Sequence, residues 1–214
     1  MYIDLPALEV GARYGAMTNA IVPRPIAWIL TDNGDHSSLE DRWNLAPFSY
    51  FNGSSVEPPQ IVMSIGHAVG NTPLKDTYLN LLDTPECVIH IPSVRHVVSV
   101  ERSAYSYPRG ESELRHLGLE TVPFEGWPIP RLKGVGVALA CRANRFLRVG
   151  ESEEQILVTA LVESIYVDDD VTQLDHKGRT VVDLLKLDPA GRAGSGQYVG
   201  IRDPFTVDRD PLPG

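Results

Sequence analysis

The chain has 214 residues, of which 43% are hydrophobic and 22% are charged, a composition that excludes a disordered chain and suits one globular domain. Its formal net charge is -9, and Lys and Arg form no long run, which argues against a nucleic-acid binder. No apolar segment is long enough to cross a bilayer and residues 1–13 lack a leader pattern, so we expect a cytoplasmic protein with no membrane partner.

The first predicted segment, residues 1–22, is a lead-in that packs on the domain, and Gly11 and Gly15 are expected to break any long helix there. Residues 25–31 are apolar and predict a buried strand. Residues 32–43 are polar and acidic, and they predict a turn followed by a loop.

The next predicted elements are a strand at residues 60–65 and a helix at residues 73–83. Thr72 is expected to cap this helix, and Pro73 suits its first position. The remaining predicted elements are a strand at 86–91, helices at 95–105 and 111–117, long strands at 135–149 and 155–167, and an irregular glycine-rich segment at 189–198.

Short strands outnumber helices and do not alternate with them. This order predicts an antiparallel barrel or sandwich with a few packed helices rather than a doubly wound sheet. Cys87 and Cys141 both lie in apolar, strand-like runs, so we expect two buried thiols and no disulfide framework.

Several common site signatures are missing from the sequence. The six histidines show neither HxH nor HExxH spacing, so no metal site is expected. No GxGxxG or GxxxxGK[ST] motif is present. The triplet 194–196 (Gly-Ser-Gly) lacks the GxSxG form of a nucleophile elbow, which argues against a hydrolase.

One candidate site lies at the predicted helix start, residues 72–77 (Thr-Pro-Leu-Lys-Asp-Thr). The first N–H groups of a helix have no partner within it and carry a partial positive charge. Lys75 adds a full charge and Thr77 adds a hydroxyl, which together suit an anion such as a phosphate. The segment alone is equally compatible with an ordinary capped helix and a solvated lysine.

A second candidate is the segment 44–49 (Asn-Leu-Ala-Pro-Phe-Ser). Main-chain N–H groups in an irregular strand can donate hydrogen bonds to a flat heterocycle without adding bulk, and Asn44 and Ser49 offer further polar groups. The alternative is a strand entry that happens to contain Pro47.

A third candidate is Arg24, which lies between two prolines that stiffen its backbone. A stiff arginine suits a contact with an anion or a ring, and the alternative is an arginine on the surface.

Taken together, these segments resemble the flavin-reductase-like family, including its flavoredoxin-like members, over residues 21–205. The residues that carry the resemblance are 23–28 (Pro-Arg-Pro-Ile-Ala-Trp), 44–49, 51–52, 58–59, Ser64, 75–77 (Lys-Asp-Thr), Asn80, 84–91, 139–141 and 189–198. The resemblance implies an antiparallel, Greek-key, FMN-binding split β-barrel over residues 23–205, with a tail at 206–214.

The resemblance also implies FMN as cofactor, NADH or NADPH as co-substrate, a homodimer and, in some members, a flavin-dependent monooxygenase partner. The implied FMN-binding residues are Arg24, Asn44, Ala46, Pro47, Phe48, Ser49, Ser64, Lys75, Asp76 and Thr77. The segment 44–49 is expected to line the ring and ribityl chain, and Ser64 with residues 75–77 to surround the phosphate.

This sequence departs from the family pattern in three places. The acidic loop 32–43 is longer than usual, Pro85 and His90 replace a frequent Gly and Asn, and residues 192–198 lack the histidine that often lies near the nicotinamide. The flavin site is therefore better supported than the nicotinamide site. We expect hydride transfer from NAD(P)H to flavin. Two alternatives stay open: an electron carrier without its own nucleotide site, and a ligand-binding barrel that has lost flavin.

Overall fold

The computed structural model describes residues 1–34, 38–66, 74–150 and 155–207. The helices are α1 (Val10–Ala20), α2 (Asp76–Asp83), α3 (Val97–Arg102), α4 (Glu113–Leu117) and α5 (Leu184–Leu187). The strands are β1 (Arg24–Pro25), β2 (Ala27–Asp32), β3 (Trp43–Phe48), β4 (Phe51–Val56), β5 (Pro59–Gly66), β6 (Glu86–His90), β7 (Thr121–Val122), β8 (Arg131–Leu132), β9 (Val137–Val149), β10 (Gln155–Val167), β11 (Thr172–Leu174), β12 (Thr180–Val182), β13 (Gly191–Arg192) and β14 (Tyr198–Val199). None of the helices in the described part of the chain has the length and apolar character that a membrane crossing requires.

Seven strands form one antiparallel sheet in the order β3-β2-β6-β9-β10-β5-β4. Its two outermost strands, β3 and β4, are consecutive in the chain and are separated only by Ser49 and Tyr50. The opposite ends of the sheet therefore meet at this corner, which requires the sheet to curl on itself. The mainly β, antiparallel architecture predicted from the order of strands is confirmed.

Strand β2 lies inside the sheet between β3 and β6 and is buried on both faces, which explains its continuous apolar sequence. Ala27 and Ile29 belong to the core inside the curled sheet, together with Met63, Cys87 and Ile156. Alternate residues point to the other face and pack under the helices of residues 94–117. That second core contains Trp28, Leu30, Leu45, Val88, Val100, Leu114, Phe124, Ile129 and Leu132.

The two cysteines are directly opposite each other on β6 and β9, and both are free and buried. Burial raises the pKa of the Cys87 thiol to about 12 and raises that of Cys141 as well. The prediction of two buried thiols is confirmed.

Helix α1 corrects the expectation that Gly11 and Gly15 prevent a long helix in the lead-in. The helix runs through both glycines for 11 residues. The cost of two glycines is of the order of 1 kcal/mol each, and contacts at the far end of the helix oppose it. There Thr18 is buried, and Arg24 donates hydrogen bonds to the carbonyls of Thr18 and Ile21, both at 2.6 Å.

Helix α2 begins later than predicted. Its first helical residue is Asp76, Lys75 is the N-cap residue with an extended backbone, and Leu74 is not helical. Thr72 and Pro73, the predicted cap and first position, lie outside the described residues. The segment 44–48 also differs from expectation, because it forms the regular strand β3 in spite of Pro47.

Pro47 is compatible with β3 because β3 is an edge strand. Leu45, two residues earlier, donates its N–H away from the sheet to Glu113 at 2.7 Å. Alternation along the strand places residue 47 on the same outer edge, where a missing N–H breaks no ladder hydrogen bond. The N–H groups of Ala46 and Phe48 accordingly face β2 and are engaged in the sheet, so they are not free donors.

His90 is fully buried and holds two elements of the fold together. Its Nδ1 lies 3.0 Å from the carbonyl oxygen of Trp28, and its Nε2 accepts a hydrogen bond from the N–H of Leu132 at 2.8 Å. This pattern requires a neutral ring with the proton on Nδ1. Burial lowers the pKa of His90 from 6.5 to about 4.

The depressed pKa of His90 predicts a loss of stability in acid. The stabilisation is fully present above the unfolded pKa of 6.5 and is lost as the pH falls towards the folded pKa of about 4. The total loss from this ring is expected to be about 3 kcal/mol. Urea unfolding of the wild type across this range should show the loss, and His90→Gln, which does not titrate, should show a shallower dependence on pH. Equal slopes would contradict the assignment.

Candidate functional site

A cleft of about 270 Å³ opens between the edge strand β3, the start of α2 and the segment 103–107 that follows α3. We call it the first cleft. Its lining residues are Asn44, Ala46, Pro47, Phe48, Leu74, Lys75, Asp76, Thr77, Ser103, Ala104, Tyr105, Ser106, Tyr107 and Glu113. Seven of the ten site residues expected from the sequence therefore come together in one place.

The start of α2 forms one end of the first cleft. The N–H groups of Tyr78 and Leu79 bond back to the carbonyl of Lys75, so those of Asp76 and Thr77 lie in the first turn without a partner in the helix. The positive end of the helix dipole points the same way. Lys75 is partly buried and lines the cleft at this end. A helix start with a lysine suits an anion.

A buried polar network supports this end from behind. The Asn44 amide donates to the hydroxyls of Thr77 at 3.0 Å and Thr31 at 3.2 Å. Asn80 donates to the same Thr31 hydroxyl at 3.1 Å and to Asn33 at 2.9 Å. The network fixes α2 against β2 and β3, so the helix start and the strand edge keep a constant separation.

The other wall of the first cleft is the apolar surface of Ala46, Pro47 and Phe48. The strand that carries it is clamped along its outer edge. Ser112 donates its hydroxyl to the carbonyl of Trp43 at 2.5 Å, and Glu113 accepts the N–H of Leu45. This wall is therefore apolar and held in place along its edge, as a ring-binding surface requires.

The segment 103–112 covers the first cleft from the side opposite β3. Arg109 of this segment forms an ion pair with Asp76 at 2.9 Å, which ties the segment to the start of α2. Tyr107 stacks on His116 with ring centroids 4.5 Å apart. Tyr105 and Tyr107 thereby bring aromatic surface and hydroxyl groups to the cleft.

Glu113 is the most unusual group in the first cleft, because it is a carboxyl that is only 7% exposed. Burial raises its pKa to about 7, and the Asp76 carboxylate adds to the increase, while the N–H groups of Leu45 and Glu113 itself and the charge of Lys75 oppose it. A carboxyl with such a pKa exchanges a proton near neutral pH.

A second cleft of about 200 Å³ adjoins the first, and Pro47, Phe48 and Ala104 line both. Its other lining residues are Tyr14, Ile26, Ser49, Val100, Glu101, Arg192 and Tyr198. Glu101 accepts hydrogen bonds from Arg192 at 2.8 Å and from the Tyr198 hydroxyl at 2.5 Å. Helix α1 contributes to this cleft through Tyr14, so the lead-in forms part of the site region.

Three of the expected site residues lie elsewhere. Ser49 lines the second cleft and accepts a hydrogen bond of 3.4 Å from Arg24. Arg24 is 4% exposed and lines neither cleft, because its guanidinium bonds to the carbonyls of Thr18, Ile21 and Ala193. Ser64 also lines neither cleft and bonds to Gln155 at 3.3 Å.

The sequence interpretation missed Glu113 and the segment 103–107. Both lie far along the chain from residues 44–48 and 75–77, and they reach the cleft only through the packing of α3 and α4 on β3. The only local signal in the sequence was the pair Ser112-Glu113, a serine followed by an acidic residue at the start of a helix. In the described ranges, no group of three or more His, Cys, Asp or Glu side chains is arranged to hold a metal ion.

Comparison with known proteins identifies the family of this chain. A family model described as the flavin reductase like domain matches residues 18–184. The chain belongs to this family. A Deinococcus radiodurans protein of undescribed function is 32% identical over 97% of this chain and 89% of its own length. The family resemblance inferred from the sequence is confirmed.

Two solved structures show how far the likeness of fold extends. Nitrilotriacetate monooxygenase component B from Bacillus cereus has a TM-score of 0.83 and 26% identity, covering 97% of this chain and 98% of its own. A Shewanella frigidimarina protein whose description names a split barrel domain has a TM-score of 0.79 and 18% identity, covering 98% of this chain and 100% of its own. The split-barrel fold of this flavin-reductase-like chain is confirmed.

Proposed function

We propose that the protein is an FMN-dependent oxidoreductase that accepts hydride from NADH or NADPH. The observation that carries the proposal is the first cleft, which joins a helix start with a lysine to an apolar strand edge within one site. An FMN molecule has two parts that would fit these two features: a terminal phosphate for the helix start and a flat ring for the apolar strand edge. Membership of the flavin reductase like family supports the proposal.

The described residues fit FMN as follows. Lys75 and the N–H groups of Asp76 and Thr77 would hold the phosphate. Ala46, Pro47 and Phe48 would support the ring, and Tyr105 and Tyr107 would cover it from the other side. The structure offers no such cluster of donors for the second phosphate of FAD in the described part of the cleft, so we expect FMN to bind in preference to FAD.

Bound FMN would supply the hydride-accepting group of the reaction. The task of the protein is then to orient the two reactants and exclude water, because hydride transfer depends more on proximity than on an acid or base. The clamped edge of β3 keeps the ring-binding wall fixed.

The hydride donor would enter the second cleft, which shares the wall of Pro47 and Phe48 with the first. Arg192 and Tyr198 give this cleft polar groups in the glycine-rich segment where family members often have a histidine. Arg192 also lies over the Tyr198 ring at 4.4 Å, so both side chains are held in place. Their geometry suits recognition of a polar amide or phosphate on the nucleotide.

The experiment that tests the proposal follows NADH and NADPH oxidation by the purified protein with and without added FMN. Oxidation that requires FMN supports hydride transfer. Bound FMN without nucleotide oxidation would favour the alternative, an electron carrier with no nucleotide site of its own, for which the missing histidine in residues 192–198 is the motivating observation. A colourless protein that binds no flavin would leave only a ligand-binding barrel.

The reduced flavin would pass to an acceptor, for which we propose a flavin-dependent monooxygenase. The support is the structural likeness to nitrilotriacetate monooxygenase component B. Flavin that dissociates readily after reduction would fit transfer to a separate oxygenase. Flavin that stays bound through many turnovers would argue against it.

We also propose that the protein forms a homodimer. Large apolar side chains are exposed on β4, β9 and β10, among them Val56, Leu147 and Ile165, and a second copy would cover side chains of this kind. Light scattering at micromolar concentration should give about twice the chain mass of 23.5 kDa. A monomer that still binds flavin would contradict this prediction.

A further inference from the structure

In the function proposed above, the Glu113 carboxyl serves only to hold the edge of β3. Its Oε2 accepts the N–H of Leu45 at 2.7 Å, which uses one of about four acceptor positions on the carboxylate. The side chain lines the same cleft as Lys75 and Asp76, so it lies near the expected position of the phosphate. A neutral amide could accept the same N–H, so the hydrogen bond to Leu45 does not by itself explain a buried ionisable carboxyl here.

We propose that Glu113 takes up a proton when FMN enters the first cleft, so that cofactor binding is coupled to pH. The inference rests on the proposed function. A phosphate carries close to two negative charges at neutral pH. A second negative charge in the same partly desolvated cleft disfavours the ionised carboxylate and therefore favours the protonated acid.

The free protein is prepared for this response, because the Glu113 pKa of about 7 leaves the carboxyl divided between its two forms near neutral pH. Binding of the dianion raises this pKa further, and the bound state retains a proton that the free state has lost. By linkage, FMN affinity should fall as the pH rises above about 7. Below that value Glu113 is already protonated in the free protein, so its contribution to the dependence should vanish.

Other charged and titratable groups lie around Glu113, and their effects on the pH dependence of FMN binding must be distinguished from its own. They are Glu111, Arg115 and His116 on or beside α4, Lys75 and Asp76 at the start of α2, Tyr105, Tyr107 and Arg109 in the segment 103–112, and Asp41 before β3. Asp41 has a lowered pKa because Ser112, Ser38 and Arg115 stabilise its charge, so it stays ionised. Asp76 is paired with Arg109. His116 is the group to control for, because it stacks on Tyr107 and contacts Glu111 beside the cleft.

The test measures FMN affinity by flavin fluorescence from pH about 7 to about 9, where the free phosphate is already a dianion. Wild-type affinity should fall roughly tenfold across this range. Glu113→Gln keeps an acceptor for Leu45 and cannot ionise, so its affinity should be nearly constant and should exceed the wild type at the upper end. His116→Gln, the matched control, should keep the wild-type slope. Riboflavin, which lacks the phosphate, should show a much smaller slope with the wild type.

Calorimetric titration of the wild type in buffers of different ionisation enthalpy gives a second readout that needs no variant. Net proton uptake on FMN binding at pH about 8 supports the proposal, and zero uptake or proton release overturns it. A slope that persists in Glu113→Gln, or that disappears in His116→Gln, also overturns it while the FMN site stands. An absence of FMN binding in the wild type would instead overturn the proposed function.

Discussion

Replacing Lys75 by alanine is expected to weaken FMN binding roughly ten- to a hundredfold. Lys75 is the N-cap residue of α2 and lines the first cleft beside the N–H groups of Asp76 and Thr77, which have no partner within the helix. If it pairs with the phosphate dianion, its loss removes a charge-assisted contact of roughly 1.5–3 kcal/mol. Titration of the apoprotein with FMN, followed by flavin fluorescence, measures the change.

Two controls separate charge from structure in this experiment. Riboflavin has no phosphate, so its affinity for Lys75→Ala should match that for the wild type. Lys133→Ala removes an exposed lysine that pairs with Glu120 far from the cleft, and it should change neither affinity. Equal weakening of FMN and riboflavin would show that Lys75 acts through structure, and unchanged affinities would show that it is a solvated surface residue.

Replacing Arg24 by alanine is expected to destabilise the protein by about 3 kcal/mol. The buried guanidinium donates to the carbonyls of Thr18 and Ile21 at the end of α1 and reaches Ser49 and Ala193. Its removal leaves buried acceptors without a partner and loosens the lead-in from the domain. Urea unfolding at neutral pH gives the free energy directly.

Arg24→Lys should not restore the stability, because a single ammonium cannot reproduce the fork that joins four acceptors. Arg179→Ala is the matched control, since Arg179 pairs with Asp175 at an exposed turn, and we expect a loss below about 1 kcal/mol. A loss for Arg24→Ala as small as the control, accompanied by weaker FMN binding, would indicate a ligand contact instead of a structural one.

The parts of the site that could be predicted from the sequence are the two that consist of short contiguous segments. Residues 44–48 and 75–77 are each contiguous, so short-range patterns identified them as candidates, although the helix begins at Asp76 and 44–48 form a regular strand. The family resemblance then placed the two segments together, which neither could have done alone. The strands 25–31, 60–65, 86–91 and 155–167 were also evident, because continuous apolar or β-branched runs in a sheet leave a plain sequence pattern.

The remainder depended on tertiary contacts that no local pattern encodes. From the sequence, Arg24 was either a ligand contact or a surface arginine, and only the docking of α1 shows that it is buried. The same docking offsets the cost of Gly11 and Gly15 and brings Tyr14 to the second cleft. Glu113 reads as a surface residue at a helix start until β3 proves to be an edge strand whose free N–H it accepts. Sequence interpretation failed where one element covers another.

The most direct test of the account is anaerobic addition of NADH or NADPH to the protein loaded with FMN, with the visible absorbance of the flavin recorded over time. The account predicts rapid bleaching by at least one of the two nucleotides and recovery of the absorbance when oxygen is admitted. Persistent absorbance in the presence of both nucleotides, with FMN shown to be bound, would contradict hydride transfer and leave the electron carrier as the better description.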